Sequence, residues 1–196
     1  MRLLLVIAHP LEDSYTFALA NAARDALTAK GHSVDWLDLY AEDFDPRLTA
    51  SERRGYFDLP YDSSAVADHV ARLKSADGLV LVFPHWWFGF PAILKGWFDR
   101  VFAPGIAFEH PPGGGPITRK LTNIRLICAL TTAGSPGWVV RWVMGDPVRR
   151  LLKRGIAILC ARDVKVRVLS LLDFDRSTER LRTAHLERVR ALVARI

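Results

Sequence analysis

A regular alternation of short apolar runs with longer amphipathic segments is the feature that most constrains this fold. The predicted strands fall at residues 2–8, 33–39, 77–83, 123–131 and 163–169. The first of them is a continuous apolar run, which is typical of a strand that is covered on both faces. Alternation of such strands with helices predicts an α/β fold, in which a parallel sheet carries helices on both of its faces.

The segments between and after these runs complete the predicted architecture. Helical periodicity marks residues 14–30, 64–75, 91–102, 146–155 and 177–196. Two stretches are expected to be irregular: 40–63, with room for a short helix, and 104–119, with three successive glycines. Five parallel strands joined by helices fit the flavodoxin-like, doubly wound order 2-1-3-4-5. No repeat or linker divides the chain, so one domain over residues 1–196 is predicted.

The composition is that of a folded globular chain. Half of the 196 residues are hydrophobic and 24% are charged, which is ordinary for a domain large enough to bury a core. No apolar run approaches the length of a membrane span, and the run at residues 3–8 is too short for a signal peptide. We therefore expect a cytoplasmic protein without membrane insertion.

Two cysteines, Cys128 and Cys160, lie in apolar surroundings. A disulfide framework or a metal site needs more ligands at closer spacing. Two buried thiols, and no metal site, are therefore predicted.

The chain is basic, with a net charge of +6 and a pI near 9.7, and the excess lies late in the sequence. A basic surface can attract nucleic acid, an anionic membrane or an anionic cofactor. No nucleic-acid motif accompanies these arginines, so no nucleic-acid partner is predicted. Most of them fall at exposed helix positions, where a solvated face is the simplest interpretation and attraction of a phosphate-bearing dinucleotide is the next.

The predicted topology locates a ligand site before any motif is considered. Doubly wound sheets bind ligands beyond the carboxyl ends of the strands, around the switch point between the first and third strands. Three loops meet that edge, at residues 9–14, 84–90 and 131–137. No Walker sequence and no GxGxxG sequence is present, which argues against a nucleoside triphosphatase or a dedicated Rossmann dinucleotide site.

The first loop, AHPLEDSYTF, leads into a helix that begins near Ser14. Free N–H groups and the helix dipole make such a helix start an anion site, and the hydroxyls of Ser14 and Thr16 add donors suited to a phosphate. The alternative is that Asp13 or Ser14 only caps the helix.

The second loop, PHWWFGF, places large rings at the ligand edge, where packing does not require them. Trp86, Trp87 and Phe88 could form a stacking wall for a flat cofactor or substrate. His85 could donate a hydrogen bond or lie on the surface. The helix that follows has a broad apolar face, which indicates protein core or a subunit interface.

The third loop, TTAGSPG, has small residues that let backbone N–H groups approach a ligand, although it could equally be an ordinary turn. Together the loops provide a phosphate end, an aromatic wall and a small polar wall. A flavin nucleotide matches all three, and other planar phosphorylated ligands would fit as well.

The stretch FPHWWFGFPAILKGWFDRVF, with AHPLEDSYTF and TTAGS in the same order, resembles the NAD(P)H quinone dehydrogenase family. This DT-diaphorase-like family also includes ancillary flavoproteins of potassium-efflux systems, and the resemblance covers nearly the whole chain. It implies a flavin-dependent homodimer, with the helix after Pro91 at the dimer interface. FAD is the expected flavin, with FMN as the alternative.

The resemblance also implies the residues of a cofactor site. The ribityl-phosphate region is expected at one end, the isoalloxazine in the middle and its pyrimidine side at the third loop. In that order the residues are His9, Ser14, Tyr15 and Thr16; Pro84, His85, Trp86, Trp87 and Phe88; and Thr131, Thr132, Ala133 and Gly134. No catalytic side chain is assigned.

The implied reaction is ping-pong. NAD(P)H passes hydride to the flavin and leaves, and a quinone, or a related electrophile such as a nitro or azo compound, then takes two electrons in the same place. The best-known members carry a tyrosine and a histidine that relay charge to the reduced flavin. Trp138 and Met144 stand nearest to those positions here, and neither can ionise in that role. Arg141 could compensate for the charge or lie on the surface.

Two other functions fit parts of the pattern. A regulatory flavin-binding subunit of a potassium-efflux transporter would not need the missing tyrosine and histidine. A one-electron carrier of the flavodoxin type is disfavoured, because such carriers are typically acidic and have a glycine-containing Thr/Ser phosphate loop. The electron acceptor and the preference between NADH and NADPH are not specified by the sequence.

Overall fold

The computed structural model describes residues 1–58, 60–111 and 113–196. Its five-stranded parallel sheet pairs, from one edge to the other, Ser33–Asp38, Arg2–Ile7, Gly78–Pro84, Leu126–Ala133 and Lys165–Leu172, which is the predicted order 2-1-3-4-5. The predicted fold class is thus confirmed. The strands of the chain are β1 Arg2–Ile7, β2 Ser33–Asp38, β3 Gly78–Pro84, β4 Phe108–Glu109, β5 Thr118–Arg119, β6 Leu126–Ala133 and β7 Lys165–Leu172.

Helices cover the two faces of this sheet. The α-helices are α1 Tyr15–Ala29, α2 Ala50–Arg54, α3 Ala67–Ser75, α4 Ala92–Val101, α5 Pro147–Arg150 and α6 Glu179–Val193. Two π-helical segments, Val139–Val143 and Leu151–Ile156, flank α5, and short 3₁₀ turns occupy Ser64–Val66, Ala157–Leu159 and Phe174–Arg176.

Two apolar cores lie on opposite faces of the sheet, because side chains of a strand alternate between its faces. In β1, Leu4 and Val6 belong to the core beneath α3 and α4, whereas Leu3 and Leu5 belong to the core beneath α1 and α6. All four side chains are fully buried. This double burial is the physical reason why the strand is a continuous apolar run.

The two cysteines lie in the cores as predicted. Cys128 and Cys160 are free and buried, and burial raises the pKa of each thiol to about 12. Neither is a thiolate at neutral pH, so neither acts as a nucleophile.

The apolar face of α4 belongs to the protein's own core. Ile93, Leu94, Trp97 and Val101 are all buried there. Gly96 permits close contact with the preceding loop, since a Cβ at this position would lie within 2.5 Å of the Pro46 backbone. Of the two interpretations of this face, core or subunit interface, the structure supports core for these side chains.

Several predicted boundaries differ from the structure. The stretch 104–119, expected to be irregular, contains the antiparallel pair β4 and β5, and 40–63 contains α2. The predicted helix 146–155 is a short α-helix that continues as a π-helix, and Val139–Val143 was not predicted to be helical. Leu59 and Pro112, within the two stretches expected to be irregular, lie outside the described residues.

The described residues contain neither a candidate membrane span nor a candidate metal cluster. No helix in that part of the chain is long and apolar enough to cross a membrane. No group of three or more His, Cys, Asp and Glu side chains in the same ranges could hold a metal ion.

Candidate functional site

A cleft of about 850 Å³ opens at the carboxyl ends of β1, β3 and β6, where the fold places ligands. The three loops chosen from the sequence meet there. Eleven of the thirteen predicted cofactor residues line it: His9, Ser14, Tyr15, Thr16, Pro84, His85, Trp86, Trp87, Thr132, Ala133 and Gly134.

The start of α1 forms one end of the cleft. Ser14 is the N-cap, and its Oγ accepts a long 3.4 Å hydrogen bond from the Phe17 N–H. The N–H groups of Tyr15 and Thr16 open the helix and have no acceptor within it. Ser14 is therefore both a cap and a cleft residue, and this end offers neutral donors and a helix dipole to an anion.

A tight turn at residues 86–89 forms the aromatic side. The Gly89 N–H donates to the Trp86 carbonyl across 3.0 Å, and the two central residues, Trp87 and Phe88, have φ angles of 52° and 60°. Left-handed backbone of this kind costs large side chains about 1 kcal/mol or more each and favours Asn-Gly. Strain retained at a ligand edge is typical of functional sites.

The rings of this turn point in different directions. Trp86 packs near the His9 ring, with 6.1 Å between the centroids. Trp87 is 97% exposed and lines the cleft. Phe88, in contrast, is not among the lining residues.

The end of β6 forms the third side, through Thr132, Ala133 and Gly134. Thr131 does not reach the cleft, because it is a fully buried residue inside the strand. Its Oγ1 lies 2.7 Å from Ser170 Oγ on β7, so this hydroxyl stabilises the contact between two strands.

His85 lies beneath the aromatic turn. Its backbone N–H donates to the Thr132 carbonyl across 2.7 Å and so joins two sides of the cleft. Its ring stacks on Phe83, and both ring nitrogens are buried without a hydrogen-bond partner among the described residues. Burial lowers the pKa of this imidazole to about 4, against a smaller opposing effect from Asp146. The side chain is therefore neutral at pH 7.

Two cleft residues, Phe174 and Asp175, were not predicted from the sequence. They follow β7, the neighbour of β6, so the rule that selected the other loops could have found them. The Asp175 carboxylate lies directly over Gly134, where any Cβ would collide with it. The Phe174 ring packs against Tyr15, with 5.3 Å between the centroids, and the Arg182 guanidinium lies 6.0 Å from its centre.

Tyr15 connects this end of the cleft to α6. Its hydroxyl donates to the Arg182 carbonyl across 2.8 Å and lies 3.2 Å from His185 Nδ1. His185 is 1% exposed, and no described residue hydrogen-bonds its Nε2. Burial, assisted by the positive charge of Arg188, lowers the pKa of His185 to about 4.

Acid is expected to destabilise the fold through His185. Its folded-state pKa of about 4 lies below the ordinary value near 6.5, so the unfolded chain binds a proton first. The contribution of this group is complete above pH 6.5 and is lost as the pH falls toward 4, by about 3 kcal/mol. Urea titrations across this range should show the decline, and His185→Leu should show a shallower one. Equal slopes for both proteins would contradict the assignment.

The cleft chemistry suits a planar, phosphate-bearing ligand. Of the described residues that line it, Asp175 is the single Asp, Glu, Lys or Arg. Recognition therefore rests on neutral donors, a helix dipole and aromatic rings rather than on lysine or arginine. Trp138 and Met144 are 63% and 40% exposed, and neither is among the described residues that line the cleft. Neither side chain is ionisable, so they do not replace the tyrosine and histidine of the family's relay.

Similarity to known proteins identifies the family of this chain. The family model described as flavodoxin-like fold matches residues 1–193. The chain belongs to this flavodoxin-like family. The NAD(P)H dehydrogenase [quinone] 1 of Rattus norvegicus is 37% identical over 164 residues, which cover 74% of this chain and 58% of that protein. The chain thus spans less than two thirds of the length of this relative.

Solved structures agree over a larger share of the chain. Smu.1420 from Streptococcus mutans UA159 has a TM-score of 0.85 and 29% identity, with full coverage of both chains. An NAD(P)H:quinone oxidoreductase from Methanothermobacter marburgensis has a TM-score of 0.79 and 25% identity, and the match covers 99% of this chain and 94% of that one. The flavodoxin-like assignment therefore applies to the whole described structure.

Proposed function

We propose that this protein is an NAD(P)H-dependent flavin oxidoreductase that reduces quinones or related electrophiles by two electrons, through a ping-pong mechanism. One observation carries the proposal: the start of α1, the strained aromatic turn and the end of β6 converge on a single cleft. The similarity to quinone dehydrogenases supports the electron donor and the acceptor class.

The residues of the cleft fit a flavin nucleotide. The Tyr15 and Thr16 N–H groups and the Ser14 hydroxyl would hold a phosphate at the start of α1. Trp86 and Trp87 would flank the ring system, and the backbone at Ala133 and Gly134 would face its polar edge. The Phe88 backbone belongs to the same turn, although its side chain does not line the cleft.

FAD rather than FMN is the flavin that we propose for the cleft. The Phe174 ring lines the cleft next to Tyr15 of the phosphate end, whereas Arg182 is not among the described lining residues. This additional aromatic face suits an adenine, because planar rings stack. FMN would leave the Phe174 ring without a ligand contact.

When bound, the flavin would supply the hydride chemistry. The chain's own residues would orient it and leave one face open, so that donor and acceptor can use the same place in turn. The backbone of His85 would hold the base of the aromatic turn, because its N–H donates a hydrogen bond to the Thr132 carbonyl. No side chain of the Tyr/His relay is available, so charge on the ring would be balanced by backbone dipoles.

The carboxylate of Asp175 should lower the reduction potential of the flavin. A negative charge beside Gly134 opposes the addition of electrons, and because Asp175 is exposed to solvent its effect is limited to the order of 20 to 50 mV. Asp175→Asn is therefore expected to raise the midpoint potential by that amount. Asp173→Asn is the matched control, since Asp173 is nearby but does not line the cleft. An unchanged potential in Asp175→Asn would contradict this role.

A second copy of the chain is proposed to cover the mouth of the cleft. The segment after the third loop exposes large apolar side chains, including Trp138, Trp142 and Val143, and exposed patches of this kind mark interaction sites. Sedimentation analysis is expected to show a homodimer, and Trp142→Glu is expected to shift it to monomer. A monomer at all concentrations would contradict this proposal.

A flavin-binding regulatory subunit of a transporter is the second candidate function. It is favoured by the same exposed patch and by the absence of the relay residues. Binding of FAD and of FMN to the purified protein, followed by steady-state turnover with a quinone, distinguishes the candidates. Tight flavin binding with rapid turnover supports the oxidoreductase, tight binding without turnover supports the subunit, and no flavin binding contradicts both.

A further inference from the structure

A cluster of cations lies at the end of the sheet opposite the cleft. Arg119, Arg125, Lys153 and Arg162, which we call the basic face, line two adjoining grooves of about 450 and 790 Å³. Arg119 and Arg162 line both grooves. Arg125 and Arg162 lie just before the amino ends of β6 and β7, and eight residues of extended strand separate this end from the cleft by roughly 25 Å.

These cations are not neutralised by acidic side chains. Within residues 1–58, 60–111 and 113–196, none of the four forms an ion pair, whereas Arg72, Arg100 and other arginines of the protein do. Asp163 is the single acidic residue that lines either groove in these ranges. Four positive charges against one give this face a local excess of three positive charges, half of the chain's net charge of +6, and create a positive potential there.

Apolar side chains accompany the charges. Ile117 lines the larger groove and Ile158 the smaller one, and they are 36% and 47% exposed. Cationic side chains interspersed with exposed aliphatic ones are the composition of surfaces that rest in a lipid headgroup region. Nucleic-acid surfaces would instead combine the cations with aromatic rings for stacking.

We propose that the basic face docks the protein on the surface of an anionic lipid bilayer. Arg125, Lys153 and Arg162 are exposed rather than enclosed, which suits a broad anionic surface better than a single small anion. Docking through this end would direct the cleft, at the opposite end of the sheet, away from the bilayer. The proposal stands independently of the flavin chemistry.

Cosedimentation of the purified full-length protein with lipid vesicles tests this directly. Vesicles of phosphatidylcholine alone are compared with vesicles that also contain phosphatidylglycerol, at low and at high salt. The wild type should partition onto the anionic vesicles and be released by salt. Arg125→Gln combined with Arg162→Gln should weaken this partition roughly 10- to 30-fold, since each cation near the surface contributes separately.

The matched control removes the same charge from another surface. Arg180→Gln combined with Arg188→Gln changes two exposed residues of α6 and should weaken the partition much less. Ile158→Ser should weaken it without altering its salt dependence. Failure of the wild type to bind anionic vesicles at low salt would overturn the proposal, as would equal losses in both double variants. Competition by inorganic phosphate alone, or a preference for duplex DNA over the vesicles, would overturn it as well.

Discussion

Replacing Trp87 by alanine is expected to weaken flavin binding about 10-fold while the fold remains intact. An aromatic ring stacked on a planar ligand contributes about 1 to 2 kcal/mol. The Trp87 side chain is 97% exposed, so its removal costs the core nothing. The dissociation constant follows from quenching of flavin fluorescence, and the midpoint of thermal unfolding reports on the fold.

Two further variants at this position separate the ring from the backbone. Trp87→Phe keeps an aromatic face and should retain most of the affinity. Trp87→Gly removes the ring and also the strain of the left-handed backbone at φ 52°, so it should bind flavin as weakly as the alanine variant but be more stable. Equal affinities of Trp87→Ala and the wild type would show that this ring is not part of the flavin site.

Replacing Arg100 by alanine is expected to lower the free energy of unfolding by about 3 to 5 kcal/mol, which is the largest effect on stability that we predict. Arg100 donates to Glu52 Oε1 from Nε across 2.8 Å and to the Asp45 carbonyl from Nη1 across 2.6 Å. Its guanidinium also lies 5.6 Å from the centre of the Phe44 ring. Because this pair is buried, truncation would leave the Glu52 charge without a partner.

The neighbouring ion pair provides the control. Arg47 pairs with Asp45 at the surface, and exposed pairs contribute about 0 to 1 kcal/mol. Arg47→Ala should therefore change the free energy of unfolding little. The double change Arg100→Met with Glu52→Leu should recover much of the loss, since it removes both buried charges. Equal effects of Arg100→Ala and Arg47→Ala in urea titrations would refute this account of the 44–54 segment.

The strand order could be predicted because both faces of the sheet are buried. Each of the central strands therefore appears as an unbroken apolar run, and runs of that kind separated by helices admit few topologies. The boundaries were less predictable. The predicted fourth strand began at Asn123, but Asn123 Nδ2 donates to the Ala76 carbonyl, across 2.7 Å, at the end of α3, and β6 begins only at Leu126.

The candidate site was predictable where the topology selected a loop. The three predicted loops follow the carboxyl ends of β1, β3 and β6, which are neighbours in the sheet, and the structure brings them to one cleft. Phe174 and Asp175 were missed because the loop after the last strand was not considered. Thr131 was placed in a loop because the predicted strand ended two residues too early, whereas β6 continues to Ala133. Neither the π-helical segment Val139–Val143 nor the left-handed turn at residues 86–89 has a periodic signal in the sequence.

The central claim is that the cleft holds a flavin that a nicotinamide reduces. The most direct measurement is the absorbance spectrum of the purified, flavin-loaded protein, before and after anaerobic addition of NADH or NADPH. Our account predicts a yellow protein that loses its visible absorbance on addition of the nicotinamide and regains it when a quinone follows. A protein that stays colourless after reconstitution with FAD and FMN, or a bound flavin that neither nicotinamide bleaches, would contradict it.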